Sequence, residues 1–165
     1  MICLFASFGV KSESDDLSGK KLLCNNFNIN SYQKDPPDLI EEELLGYEFV
    51  SKMKEDDFNF HKRNNSKDYT VRPNYNLVFR YYLNLLNDTD SFDKDLLNYE
   101  TTLQYIKIIK DFRYKDPDGN LRSYSSSDKI DREKLEYHRD LKCQIVEELN
   151  SYFEERLDKK IKYMK

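Results

Sequence analysis

The spacing of apolar residues predicts a mainly α fold, a helical bundle of about four helices with a small β-hairpin and an irregular N-terminal arm. Three observations carry this expectation. Ile130, Tyr137, Leu141, Ile145, Leu149, Tyr152, Phe153, Leu157, Ile161 and Met164 recur mostly at three- and four-residue steps, the period of an amphipathic helix. Phe92, Leu96, Tyr99, Leu103, Ile106 and Ile109 repeat that spacing upstream. Asp38, with Glu41 three residues on, makes an acidic capping box ahead of Ile40, Leu44, Leu45, Tyr47, Phe49, Val50 and Met53, just after the breaker Asp35-Pro36-Pro37.

In chain order, the apolar start at 1–10 reads as a buried strand or docking segment, since it is about half the ~20 residues a membrane span needs. Residues 1–34 form the loosely packed arm of a single domain covering 1–165. Helix one is expected at about 39–54, with Gly46 in its middle costing ~1 kcal/mol relative to Ala, which points either to a close neighbour or to a weak turn. Residues 56–74 read as loop. Leu77, Val78, Tyr81, Tyr82, Leu85 and Leu86 suggest helix two, and Asp90 caps a third helix running to Lys110. A strand competes over 105–114, where isoleucines and aromatics are dense. Asp116-Pro117-Asp118-Gly119 is strong turn chemistry that joins Phe112-Arg113-Tyr114 to Leu121-Arg122-Ser123-Tyr124 as a hairpin. The polar run 123–127 then reads as a hinge before the terminal helix, which opens at Asp128 or Asp131.

Charged residues make up 35% of the chain, yet 13 Tyr and 10 Phe supply enough apolar surface for a core. A net charge of -4 gives no global attraction to nucleic acid or to an anionic membrane, and so favours a protein partner. Cys3, Cys24 and Cys143 are odd in number and far apart, with only His61 and His138 to help, which supports neither a disulfide framework nor a zinc site. Reduced thiols in a cytoplasmic protein, with no metal and no cofactor, are the expectation.

Two sets of residues are candidate contact surfaces. Tyr47, Glu48, Glu147, Glu148, Tyr152 and Glu155 would form an acidic, tyrosine-bearing helical surface for a partner protein, as in an antagonist, an immunity-type protein or a viral accessory factor. Lys62, Arg63, Lys67, Tyr69, Arg72 and Arg80 interleave cations with aromatics, the pattern that neutralises phosphates and stacks bases of single-stranded RNA. The terminal helix could also supply a homodimer seam.

Arg132-Glu133-Lys134-Leu135-Glu136-Tyr137-His138 resembles the loose Arg-x(4 to 6)-His signature of HEPN-type ribonucleases, an all-helical family that works as dimers. That resemblance implies His138 as the proton carrier at a ribose hydroxyl and Arg132 as the group that steadies charge on phosphorus. On an ideal helix the two side chains would lie about 120° apart, and Glu133 beside them would repel phosphate.

Overall fold

In the computed structural model the described residues are 16–25, 44–50, 52–65, 67–83, 92–137 and 141–164. They build a β-barrel, not a helical bundle. The strands are β1 (Lys21–Asn25), β2 (Leu44–Val50), β3 (Leu77–Leu83), β4 (Phe92–Thr101), β5 (Tyr105–Lys115), β6 (Leu121–Asp131), β7 (Glu136–Tyr137) and β8 (Leu141–Val146). Each pairs antiparallel with the next, and β8 returns to β1 with Cys24 opposite Cys143, closing the barrel in sequence order. Helix α1 (Glu55–Arg63) separates β2 from β3, and α2 (Asn150–Met164) follows β8.

Helices one, two and three of the sequence expectation are therefore strands β2, β3 and β4 with the start of β5, and only 150–164 of the long terminal helix is helical. The cause is burial on both faces. In β3, Val78 and Arg80 point into the barrel, while Leu77, Phe79, Tyr81 and Leu83 pack into a second apolar cluster outside it. A strand covered on both sides loses the alternation of apolar and polar residues and leaves a continuous run, whose members also fall at helical spacings. The loop expected over 56–74 contains α1, whose first turn carries Glu55, Asp56 and Asp57 and whose last carries His61, Lys62 and Arg63, an order that suits the helix dipole. The hairpin at 116–119 is present, with Gly119 at φ 83° where an L side chain would be strained. The expectations for 1–10, the beginning of helix one, Leu85, Leu86, Asp90 and His138 lie outside the described residues.

The barrel is filled. Tyr47, Phe49, Leu97, Tyr99, Ile108 and Ile130 occupy its middle with almost no exposure, so no channel runs through it, as suits a barrel of eight strands. Outside, Leu149, just before α2, and Phe153 and Leu157 of α2 cover the β1–β4 face, and the Phe153 ring lies 5.9 Å from Tyr81 and 5.3 Å from Phe92. Burying each such side chain contributes about 1.5–3 kcal/mol. Phe153 and Leu157 of α2 are thus spent on its own barrel. Gly46 in β2 is what lets α2 approach: a Cβ there would sit 2.8 Å from Phe153 Cε2 and 3.1 Å from Leu149 Cδ2. Gly46→Ala should therefore lower stability by about 1–3 kcal/mol in urea unfolding, because both obstructing side chains are themselves packed.

Candidate binding site at one end of the barrel

Four inward positions on neighbouring strands carry charge. Arg80 of β3 lies opposite Asp95 of β4 and Tyr47 of β2, and Asp128 of β6 lies opposite Ile108 of β5. The Arg80 guanidinium donates from Nη2 to Asp95 Oδ2 at 2.7 Å and to Tyr69 Oη at 3.2 Å, and its Nη1 is 3.9 Å from Asp128 Oδ2. Lys110 of β5 donates to the other Asp128 oxygen at 2.7 Å. The Tyr82 ring stacks under the guanidinium at 4.9 Å. Burial disfavours the cation here, but Tyr47, Tyr69 and Asp95 outweigh it and hold Arg80 protonated well above its ordinary range. Two cations are thus balanced by two carboxylates, and neither carboxylate is left to act as an acid or base on a ligand.

Above this network the barrel splits. β4 pairs with β3 along Phe92–Asn98 but with β5 only over Asn98–Thr101. Asn65 and residues 67–72 fill the gap. Two asparagines mimic a strand ladder there: the Asn65 side chain accepts from Leu96 N–H at 2.7 Å and donates to Leu96 O at 3.1 Å, while Asn98 accepts from Arg72 N–H at 2.8 Å and donates to Arg72 O at 3.0 Å. Thr70 N–H donates to Asp111 O at 2.6 Å, and Tyr69 bridges to Phe112. Leu96 N–H and C=O and Asp111 C=O thus find partners without a ninth strand.

Beyond the split, β5 and β6 continue as a two-stranded arm. Its inner side carries Phe112, Tyr114, Arg122 and Tyr124, the same register face that lines the barrel at Ile108 and Asp128. Rings pass from the network to the tip, Tyr69 to Phe112 at 6.3 Å, Phe112 to Tyr124 at 5.1 Å and Phe112 to Tyr114 at 6.0 Å. With no opposite wall, the inward face becomes an exposed one: Tyr114 is 48% and Tyr124 52% accessible, and Leu121 on the reverse side 64%. Asp116 ties the tip, accepting from Asn120 N–H at 2.8 Å and from Arg122 Nε at 2.9 Å. The Arg122 bond, followed by the backbone and side-chain donors of the turn, holds its carboxyl below the ordinary 3.8. A depressed carboxyl stabilises the folded turn fully above 3.8, and that contribution is lost as pH falls through the lower folded value. Gly119 and Arg122 amide shifts should accordingly move together below pH ~3.8 while core amides stay in place.

A second group lies outside the barrel between the two helix contacts. Lys94 sits 3.9 Å from the Phe79 ring centre and 4.8 Å from that of Tyr81, His61 packs on Phe79 at 4.8 Å, and Tyr81 Oη donates to Glu48 at 2.6 Å. Burial lowers the Lys94 and His61 pKa values and raises that of Tyr81, with Glu48 adding to the last. At the far end of the barrel a cavity of about 160 Å³ is lined by Leu17, Leu22, Phe49, Ile106, Leu135, Ile145, Lys20 and Arg132.

Of the acidic surface expected for a partner, Tyr47 is fully buried in the core and Glu48 is engaged with Tyr81. Glu147 and Glu148 precede α2, where Glu148 accepts from Asn150 and Ser151 N–H and caps the helix, and Tyr152 and Glu155 are exposed on it. Of the basic set, Lys62 and Arg63 end α1, Lys67 stands 5.6 Å from the Tyr82 ring centre, Arg72 stands 5.1 Å from that of Tyr75, and Arg80 is consumed by Asp95. Arg132 sits in the turn after β6 and donates to Thr102 O at 2.7 Å, so the helical setting implied by the ribonuclease signature is absent at this residue. Cys24 and Cys143 are bonded, which corrects the expectation of reduced thiols. The arm residues Phe112, Tyr114, Leu121 and Tyr124 were not among the expected contacts. Their signal was the turn at 116–119, whose flanking aromatics fix a hairpin but not its projection. No protein-family model, no curated protein and no solved structure matches this chain.

Proposed function

We propose that this is a non-enzymatic binding protein that engages a partner protein through the β5–β6 arm. The exposed Tyr114, Leu121 and Tyr124 at the tip are the observation that carries it, since tyrosines beside Arg113 and Arg122 are the residue types that anchor protein interfaces. The buried ion network beneath the arm gives it a rigid base, and the net charge of -4 favours protein over nucleic acid. Among the described side chains, the acidic surface around α2 offers one exposed aromatic, Tyr152, where the arm offers two and a leucine. No helix among the described residues is long and apolar enough to cross a membrane. The cytoplasmic expectation rested partly on unpaired cysteines; with Cys24 and Cys143 joined, we propose a compartment in which that bond stays oxidised.

The test compares capture of partners by the wild type and by Tyr114→Ala/Leu121→Ala/Tyr124→Ala from an extract of the organism that encodes the chain. The triple variant should lose a specific protein by about a hundredfold in affinity, with its circular dichroism unchanged. Retained capture, or capture that depends on RNA, would count against this surface.

A further inference from the structure

Successive residues of a strand point to opposite faces, so the end of the β5–β6 arm has two unlike sides. The inner side carries Tyr114 opposite Arg122 and Phe112 opposite Tyr124, while the reverse side carries Lys115 opposite Leu121 and Arg113 opposite Ser123. At the tip of the inner side the cation is already used: Arg122 lies 2.9 Å from Asp116. On the reverse side neither Arg113 nor Lys115 has a carboxylate partner among the described residues, and both are exposed. Leu121, 64% accessible, lies across from Lys115 and diagonal to Arg113. The next position inward on this side, Asp111, accepts from the Ser125 hydroxyl and marks where the positive patch ends. A chain of net charge -4 thus presents, on one side of its arm, two cations around an aliphatic side chain.

The division between the two sides decides what kind of anion fits. A single-stranded nucleic acid needs cations for its phosphates and rings for its bases on one surface. Here the rings of Tyr114 and Tyr124 and the cations Arg113 and Lys115 lie on opposite sides, and Asp116 beside Arg122 repels phosphate on the ring side. On the cation side the apolar group is a leucine, which offers a base nothing to stack on. An acidic peptide meets both requirements. Arg113 and Lys115 are alternate residues of one strand, about 7 Å apart, the spacing of alternate carboxylates in an extended chain, and an apolar side chain beside those carboxylates would cover Leu121. We infer that the reverse side of the tip receives an acidic stretch of the partner protein, while the tyrosines on the inner side enter an apolar part of it, so that the arm is gripped on both faces. This rests on the arm being the contact surface proposed above, and adds the partner's charge and the side on which it acts.

The test titrates the full chain with poly-L-glutamate at low salt and follows backbone amides by NMR, with single-stranded poly(U) as the competing polyanion. Poly-L-glutamate should move the amides of Arg113, Lys115, Leu121 and Ser123 at lower concentration than those of Lys62 and Arg63 at the end of α1, a second pair of exposed cations in the same molecule. Arg113→Glu/Lys115→Glu should weaken the response at the tip at least about tenfold while the Gly119 and Ile108 amides keep their positions. An equal response at Lys62 and Arg63, a tip response indifferent to the charge reversal, or a stronger response of the tip to poly(U) would overturn the inference. Capture from the native extract separates it from the reading on which it rests. If Tyr114→Ala/Leu121→Ala/Tyr124→Ala loses the captured protein and the charge-reversed chain keeps it, the arm stands and the acidic partner falls; if both variants keep it, both fall; if both lose it, both stand.

Discussion

Asp95→Ala should lower stability by about 3–5 kcal/mol, the loss found when one partner of a buried ion pair is removed and the other is left charged. Asp95 has no exposure, and its bond to Arg80 is 2.7 Å. With the carboxylate gone, the guanidinium keeps Tyr69, the Tyr82 ring and the distant Oδ2 of Asp128, whose other oxygen Lys110 already holds. Arginine cannot escape by losing its proton. The double variant Arg80→Met/Asp95→Leu should recover most of the loss, because apolar side chains of similar volume fill the same space without desolvating charge. Urea unfolding of both variants checks this. A loss below about 1 kcal/mol for Asp95→Ala would mean that the pair is not the base of the arm.

The second large effect is expected from the disulfide. Cys24 and Cys143 are 119 residues apart and join the first strand of the barrel to the last. Closing so long a loop in the unfolded chain is worth about 2–5 kcal/mol, and here it also fixes the pairing of the first strand with the last. Reductant, or Cys24→Ser with Cys143→Ser, should lower the urea midpoint accordingly. Thiol titration of the denatured, unreduced protein should find Cys3 alone. Three free thiols would remove this contribution from the account.

The hairpin was legible because Asp, Pro, Gly and Asn each favour a turn for a separate local reason. The barrel was not. Leu77 to Leu83 is buried on both faces, so the period of two that marks a strand is erased, and the isoleucines and aromatics of 105–114 were the only local sign of β structure. The terminal pattern combined real helix at Phe153 and Leu157 with Leu149 just before it and Leu141 and Ile145 of β8, whose spacing happens to continue it. Gly46 pointed correctly to a close neighbour, although in a strand. Arg80 counted as a surface cation because its partners, Asp95, Asp128 and Tyr69, come from distant segments, and only the closed sheet brings them together. Ser123 to Ser127 resembled a hinge because serines favour neither helix nor core; in the barrel they form an exposed edge.

The most direct test of the arm as the contact surface is a photo-crosslinking residue placed at position 124, compared with the same residue at position 152 on α2. Irradiation in the native extract should give a discrete adduct with a different protein from position 124, lost when Tyr114 and Leu121 are replaced by alanine, and none from position 152. An adduct at 152 alone, or none at either, would contradict the arm as the binding surface.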